Sequence, residues 1–220
     1  MKVLKFGGTS VGSAQRMKGV AKLITGERNI IVLSAMSGTT NSLVEISDYL
    51  YKKNPEGANE IINKLVQKYE GHVEELYSTD EYKQKAKELI QYHFDYIRSF
   101  TKDLFTLFEE KVVLAQGELL STGMMNLYLN ECGVKSVLIP ALDYMRTNKN
   151  AEPDSSYIRE KLLKLLEEQK DAEQLKQWIT NELGGGYNKK MIAINQDSLG
   201  VQCRRIRSGL IDILVKPLEG

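Results

Sequence analysis

Cysteine and tryptophan are nearly absent from this chain, histidine is rare, and neither charge sign dominates. The two cysteines, Cys132 and Cys203, stand far apart in 220 residues, which excludes a disulfide framework and fits thiols kept reduced in a cytosol. The two histidines, His72 and His93, lack metal-ligand spacing and read as surface residues. The single tryptophan, Trp178, is expected to pack a helix against a sheet. Thirty basic and 29 acidic residues leave a formal net charge of +1, so there is no electrostatic case for a nucleic-acid partner. No apolar run is long enough to span a bilayer, and the first residues do not read as a secretory signal. A cytoplasmic location follows as the expectation, with neither nucleic acid nor membrane as a partner. What remains is ordinary for a globular protein: 42% hydrophobic and 27% charged residues, in a length that suits one domain or a small pair.

The chain opens as strand, loop and helix, twice over. Lys2–Phe6 reads as a short strand and "GGTSVGS" as a loop. Ala14–Ile24 has helical spacing, with Met17, Val20, Ala21 and Ile24 on one face, and Gly26 closes it. "NIIVLSAM" is a continuous apolar run, the pattern of a strand buried on both faces. "SGTTN" is loop, and Ser42–Tyr51 returns to helix. This βαβ pattern predicts a mainly parallel sheet with helices on both faces, an α/β fold with both loops at one end. Pro55 to Gly57 breaks the pattern. A charged stretch free of proline follows, expected as a helical insert over about 56–110. Gly117 is then expected to start a new helix, Glu118–Asn130, and 136–141 a third buried strand. "DSSYIREKLLKLLEEQ" predicts a serine-capped helix with Ile158, Leu162, Leu163, Leu165 and Leu166 on its apolar stripe. "LGGGYNKK" is the best boundary candidate, and Met191–Asn195 and Leu210–Lys216 read as strands beyond it.

Lys5 and the glycines after it carry the first chemical signal. A lysine at the end of a parallel strand points into the crevice above the sheet. Two glycines let backbone N–H groups approach a ligand closely, and the next helix turns its positive end to the same spot. Amide donors, a helix dipole and one mobile cation make a phosphate cradle. The lysine precedes the glycines, so this is not the P-loop, whose lysine follows them. A tight turn beside a solvated lysine is the competing reading of the same residues.

"KFGGTSVG" closely resembles the signature of aspartokinases, in the amino-acid kinase family. "VLSAMSGTTNSLVEI" is similar to that family's second glycine loop, "GELLST" to its third block, and "MRTN" with "AEPD" to the region after. The resemblance runs in order from Met1 to about Leu166 and implies phosphorylation of the β-carboxylate of L-aspartate by ATP with Mg²⁺, giving 4-phospho-L-aspartate. It implies that Lys5 contacts the γ-phosphate, that Gly7 and Gly8 donate N–H bonds to the phosphates with Thr9 and Ser10 beside them, and that Ser34 lines the crevice. It further implies that Thr40 and Glu118 bind aspartate, Glu118 at the ammonium group, with no metal ligand assigned to the protein and a homodimer as a candidate assembly. Each also has a plainer role: Ser34 capping its loop, Thr40 capping a helix, Glu118 favoured in a first helical turn.

That family carries a later segment of the kind "GRGGSD", and here only "LGGGYN" stands. The kinase resemblance therefore implies a truncated lobe over 1–174 with impaired activity. The tail, 175–220, differs: "IAINQDSLGVQCRRIR" with "VKPLEG", about Asn188 to Gly220, resembles the end of the barrel of family 27 glycoside hydrolases, the α-galactosidases. The chain thus reads as chimeric, its tail expected to dock as extra strands. Asp197 is read as a loop aspartate, and Arg204, Arg205 and Arg207 as a solvated cluster. The alternatives to a kinase are a non-catalytic phosphate- or nucleotide-binding remnant and a carbohydrate-active fragment.

Overall fold

The computed structural model describes residues 2–24, 29–102, 104–150 and 152–167. Two strands, β1 (Lys2–Phe6) and β2 (Asn29–Leu33), pair in parallel, with Lys5 opposite Val32 and Phe6 opposite Leu33. Parallel neighbours need a crossover, and α1 (Ala14–Ile24) lies within it. Met17, Val20, Ala21 and Ile24 are all buried, so the helical stripe seen in the sequence is the core face. The Ser34 N–H donates to the Phe6 carbonyl at 3.0 Å, carrying the ladder one step past β2. Both following loops therefore leave the same end of the sheet, as the βαβ reading requires.

Four helices complete the core: α2 (Thr39–Tyr51), α3 (Pro55–Leu76), α4 (Asp80–Ser99) and α5 (Leu107–Glu131). The alternation of strand and helix stops at Pro55, which is the first residue of α3, where a missing N–H costs nothing. Asn54 caps that end by accepting from the Gly57 N–H at 3.0 Å. Tyr69 and Val73 of α3, Ile90 and Phe94 of α4, and Leu120 and Met124 of α5 join Met17, Leu33 and Ile46 in one hydrophobic cluster. The charged helical stretch thus shares its core with the sheet-bearing part of the chain.

The break expected at Gly117 is absent, because α5 starts earlier, at a capping box. The Thr106 N–H donates to Glu109 Oε2 at 2.8 Å, and the Phe108 N–H to Thr106 Oγ1 at 3.2 Å. The helix then runs 25 residues straight through Gly117. A Cβ there would lie 2.8 Å from Ala35 Cβ and 3.3 Å from both Leu43 Cδ1 and Thr39 Cγ2. The glycine serves close packing of α5 on the loop after β2, not the start of a new helix.

The third strand expected at 136–141 is also absent. That run is an irregular connector to the short α6 (Ala141–Tyr144), and Val137 and Leu138 are 56% and 41% exposed. An apolar run becomes a buried strand only beside a partner, and the sheet among the described residues holds β1 and β2 alone. The last described helix, α7 (Ser155–Glu167), is capped by Asp154 rather than by a serine: Oδ1 accepts from the Tyr157 N–H at 3.1 Å. Ile158, on its expected apolar stripe, is fully buried. Gly26, Trp178, Cys203, the 184–188 boundary and the tail strands all lie outside the described residues. Among those described, no helix is long and apolar enough to cross a membrane.

Neither histidine sits freely on the surface as expected. His93 on α4 is buried against α5, its Nδ1 2.7 Å from Gln116 Oε1, and His72 on α3 is half-buried. Helix-on-helix packing overrides the polar reading, and burial lowers the pKa of both rings. The sign follows directly. A histidine held neutral in the fold favours folding fully only above its unfolded value near 6.5, and that contribution drains away as pH falls toward the depressed folded value. Urea midpoints are expected to drop as pH falls from about 7 to 5, and His93→Gln to flatten that slope.

Candidate active site

The site begins one residue before the end of β1. Lys5 is half-buried there, opposite Val32. After Phe6 the chain turns, the Ser10 N–H donating to the Gly7 carbonyl at 2.8 Å. A Cβ on Gly7 would meet nothing within 4 Å, so this residue faces open space, where a ligand can approach the backbone. Gly8 has a different task. A Cβ on it would lie 2.7 Å from the Ala35 carbonyl, so its bareness lets the two glycine loops touch. Ser37 Oγ seals the contact by donating to the Gly8 carbonyl at 3.0 Å. Thr9 and Ser10 are exposed. The Thr9 carbonyl accepts from the Arg16 guanidinium at 2.7 Å, tying the first loop to the first turn of α1.

The second loop is clamped from α5. Ser34 is 2% exposed, and its carbonyl accepts from Ser121 Oγ at 2.6 Å. Ser34 Oγ is buried with no hydrogen-bond partner, so this serine does not cap its loop. A hydroxyl in that state is ready to donate to an incoming polar group. Glu118 Oε1 accepts from the Ala35 N–H at 3.2 Å. The acid stands in the middle of α5, so the preference for acids in a first turn does not explain it. Ala35 is thereby gripped on one side by Gly8 and on the other by Glu118.

Gly38, with φ at +81°, is the N-cap of α2, and no side chain caps that end. Thr40 is therefore not the cap; it is the second residue of the helix and partly exposed. Helix α3 reaches the same loop with two consecutive residues. Lys68 Nζ donates to the Ser37 carbonyl at 2.7 Å, and the Tyr69 hydroxyl lies 2.9 Å from Thr39 Oγ1. Tyr69 is fully buried; burial first, then the charge of Glu118, push its pKa up against the lowering effect of the Thr39 bond.

Lys5, Gly7, Gly8, Thr9, Ser10, Ser34, Thr40 and Glu118 thus lie on three segments that meet at one end of the sheet. The sequence reading missed Ser37, Lys68, Tyr69, Gly117 and Ser121 as parts of it. Gly117 and Ser121 were in view within "GELLST", but nothing in a charged helical stretch marks Lys68 or Tyr69. The "MRTN"/"AEPD" block closes on itself: Thr147 bridges Pro153, and Arg146 holds Asp154 Oδ2 at 2.9 and 2.6 Å. Among the described residues no group of three or more His, Cys, Asp or Glu is arranged to hold a metal ion.

The two loops thus interlock over the parallel pair, with Lys5 before the first and Glu118 behind the second. The amino acid kinase family model matches residues 1–187. The chain belongs to the amino acid kinase family. Within that family it is similar to chloroplastic aspartokinase 2 of Arabidopsis thaliana, 32% identical over 146 residues, which is 61% of this chain and 25% of the relative. An aspartate kinase of Pseudomonas putida is 48% identical over 50 residues, 20% of this chain and 12% of that one. The structure of E. coli aspartokinase III in complex with aspartate and ADP superposes with a TM-score of 0.62 at 25% identity, covering 76% of this chain and 38% of that one. This amino acid kinase family chain therefore spans about a quarter of the length of the plant relative. Its α/β architecture, helical with a small parallel sheet, is that of the aspartokinase fold.

Proposed function

We propose that this chain carries the nucleotide- and aspartate-binding lobe of an aspartate kinase, which transfers the γ-phosphoryl group of ATP to the β-carboxylate of L-aspartate. One observation carries the reading. Ala35 is gripped between Gly8 of the lysine–glycine loop and Glu118, so a phosphate cradle and an acid suited to an amine flank the same residue. The names of the relatives, aspartokinases from a plant and from bacteria, support the choice of substrate.

In this reading the Gly7 and Gly8 amides hold the phosphates, and Lys5 neutralises charge that builds on the transferring group. Ser34 Oγ donates a further hydrogen bond into the crevice. Glu118 receives the ammonium of aspartate, and Thr40 stands at the positive end of α2 beside it. The attacking β-carboxylate is ionised at neutral pH, so no general base is needed, and the task is alignment and charge neutralisation. Mg²⁺, when present, supplies neutralisation at the phosphate oxygens.

The test is calorimetry of the purified chain with ATP–Mg²⁺ and with L-aspartate, beside aspartate-dependent ADP release. Binding of both ligands is the expected result, with turnover falling sharply in Lys5→Ala and aspartate binding and turnover both falling in Glu118→Ala. Absence of any nucleotide binding overturns the reading. Glu118→Gln separates the two roles of that acid. It keeps an oxygen for the Ala35 N–H but removes the charge, so the melting temperature should hold. Aspartate binding should weaken at least tenfold, as expected for losing a charge-assisted bond of about 1.5–3 kcal/mol.

A further inference from the structure

We propose that Lys68 of α3 is a positioning residue that holds the second glycine loop in place for the substrate bound beside Thr40. Its ammonium donates to the Ser37 carbonyl at 2.7 Å. A Cβ on Gly38 would lie 3.5 Å from the same nitrogen, so the cation stands directly over the left-handed residue that opens α2. The loop has few bonds of its own at this point. The Thr39 N–H reaches the Met36 carbonyl at 3.0 Å, the Ser42 N–H reaches Gly38 at 3.2 Å, and no side chain caps the helix. Support comes instead from α3, at Lys68 on the open side and at Tyr69 from the core side. Ser37 passes that support on through its hydroxyl to the Gly8 carbonyl.

Helix spacing shows that Lys68 is not simply part of a solvated charged face. Lys64, one turn before it, pairs with Glu60 at 2.7 Å in the usual i,i+4 manner. Lys68 has Lys64, Leu65, Gly71 and His72 at those spacings, none of them acidic, and its bond goes to the loop. The contact desolvates the ammonium enough to lower its pKa. The first loop keeps independent supports, the Gly7–Ser10 turn and the Arg16–Thr9 bond. Loss of Lys68 therefore falls chiefly on the second loop, the aspartate side, rather than on the phosphate side.

The functional consequence rests on the aspartate-kinase reading, while the hold on the loop can be tested without it. In the full chain, Lys68→Met is expected to speed hydrogen exchange of the Thr39 and Ser42 amides about tenfold, with Ile46 and Leu120 unchanged and Lys68→Arg restoring the slow rate. In turnover, Lys68→Met should raise KM for aspartate about tenfold while KM for ATP and kcat stay within about twofold, again with rescue by arginine. Unchanged exchange at Thr39 and Ser42 in Lys68→Met overturns the proposal, as does an equal rise in both KM values. If the parent chain binds neither substrate, the kinase reading falls and the exchange rates alone decide the role of Lys68.

Discussion

Replacing Lys5 by alanine is expected to lower aspartate-dependent ADP release by about 10²–10³-fold, the scale of losing one preorganised electrostatic donor at a transition state. The side chain leaves β1 two residues before the open space at Gly7, and it is the one cation carried by that strand end. In the proposed mechanism its charge is needed most as the phosphoryl group transfers, so kcat should fall further than ATP affinity, which calorimetry reads separately. Lys5→Arg should restore only part of the rate, because a planar fork does not reproduce a compact ammonium on a flexible stem. A melting temperature close to that of the parent would show that the loss is chemical. Turnover unchanged in Lys5→Ala would remove this residue from the mechanism.

Phe94→Ala is expected to have the largest effect on stability, about 3–5 kcal/mol, typical of truncating a fully buried phenylalanine. Phe94 is 0% exposed in α4 and meets Tyr69 of α3 edge to face, with ring centroids 5.8 Å apart. Against a total of about 5–15 kcal/mol for a typical domain, that loss takes a large share. The consequence should also reach the site. Tyr69 holds Thr39 at the start of α2, and a cavity beside its ring frees it to shift. Urea denaturation should show one cooperative transition at a lower midpoint, since α3 and α4 belong to the same hydrophobic cluster as Leu33 and Met17. Aspartate binding should weaken in parallel. Two separate transitions would show instead that the helical stretch folds as its own unit.

Much was legible locally. Short-range periodicity identified β1, β2 and α1, because one strand repeat or helix turn already decides which side chains share a face. The lysine–glycine string and the two later blocks pointed to the candidate site residues, since a backbone proposed to approach phosphate closely requires glycine at set positions. The parallel pairing of β1 and β2, with both loops at one end, followed from chain direction and the need for a crossover.

The tertiary structure decided what depends on partners distant in the chain. Gly117 looks the same in sequence whether it starts a helix or admits a neighbour, and only the approach of Ala35 shows that it admits one. The run at 136–141 has a strand's composition, yet it lacks a strand beside it among the described residues and remains a connector. His93 reads as polar surface until α5 brings Gln116 within 2.7 Å. Lys68 and Tyr69 are ordinary residues of an amphipathic helix, and they reach the glycine loop only because α3 packs across α2. Local pattern sets what each segment is able to form, since its energetics involve near neighbours. Burial, close approach and hydrogen bonds between segments are set when distant surfaces compete for the same core, and so they belong to the fold as a whole.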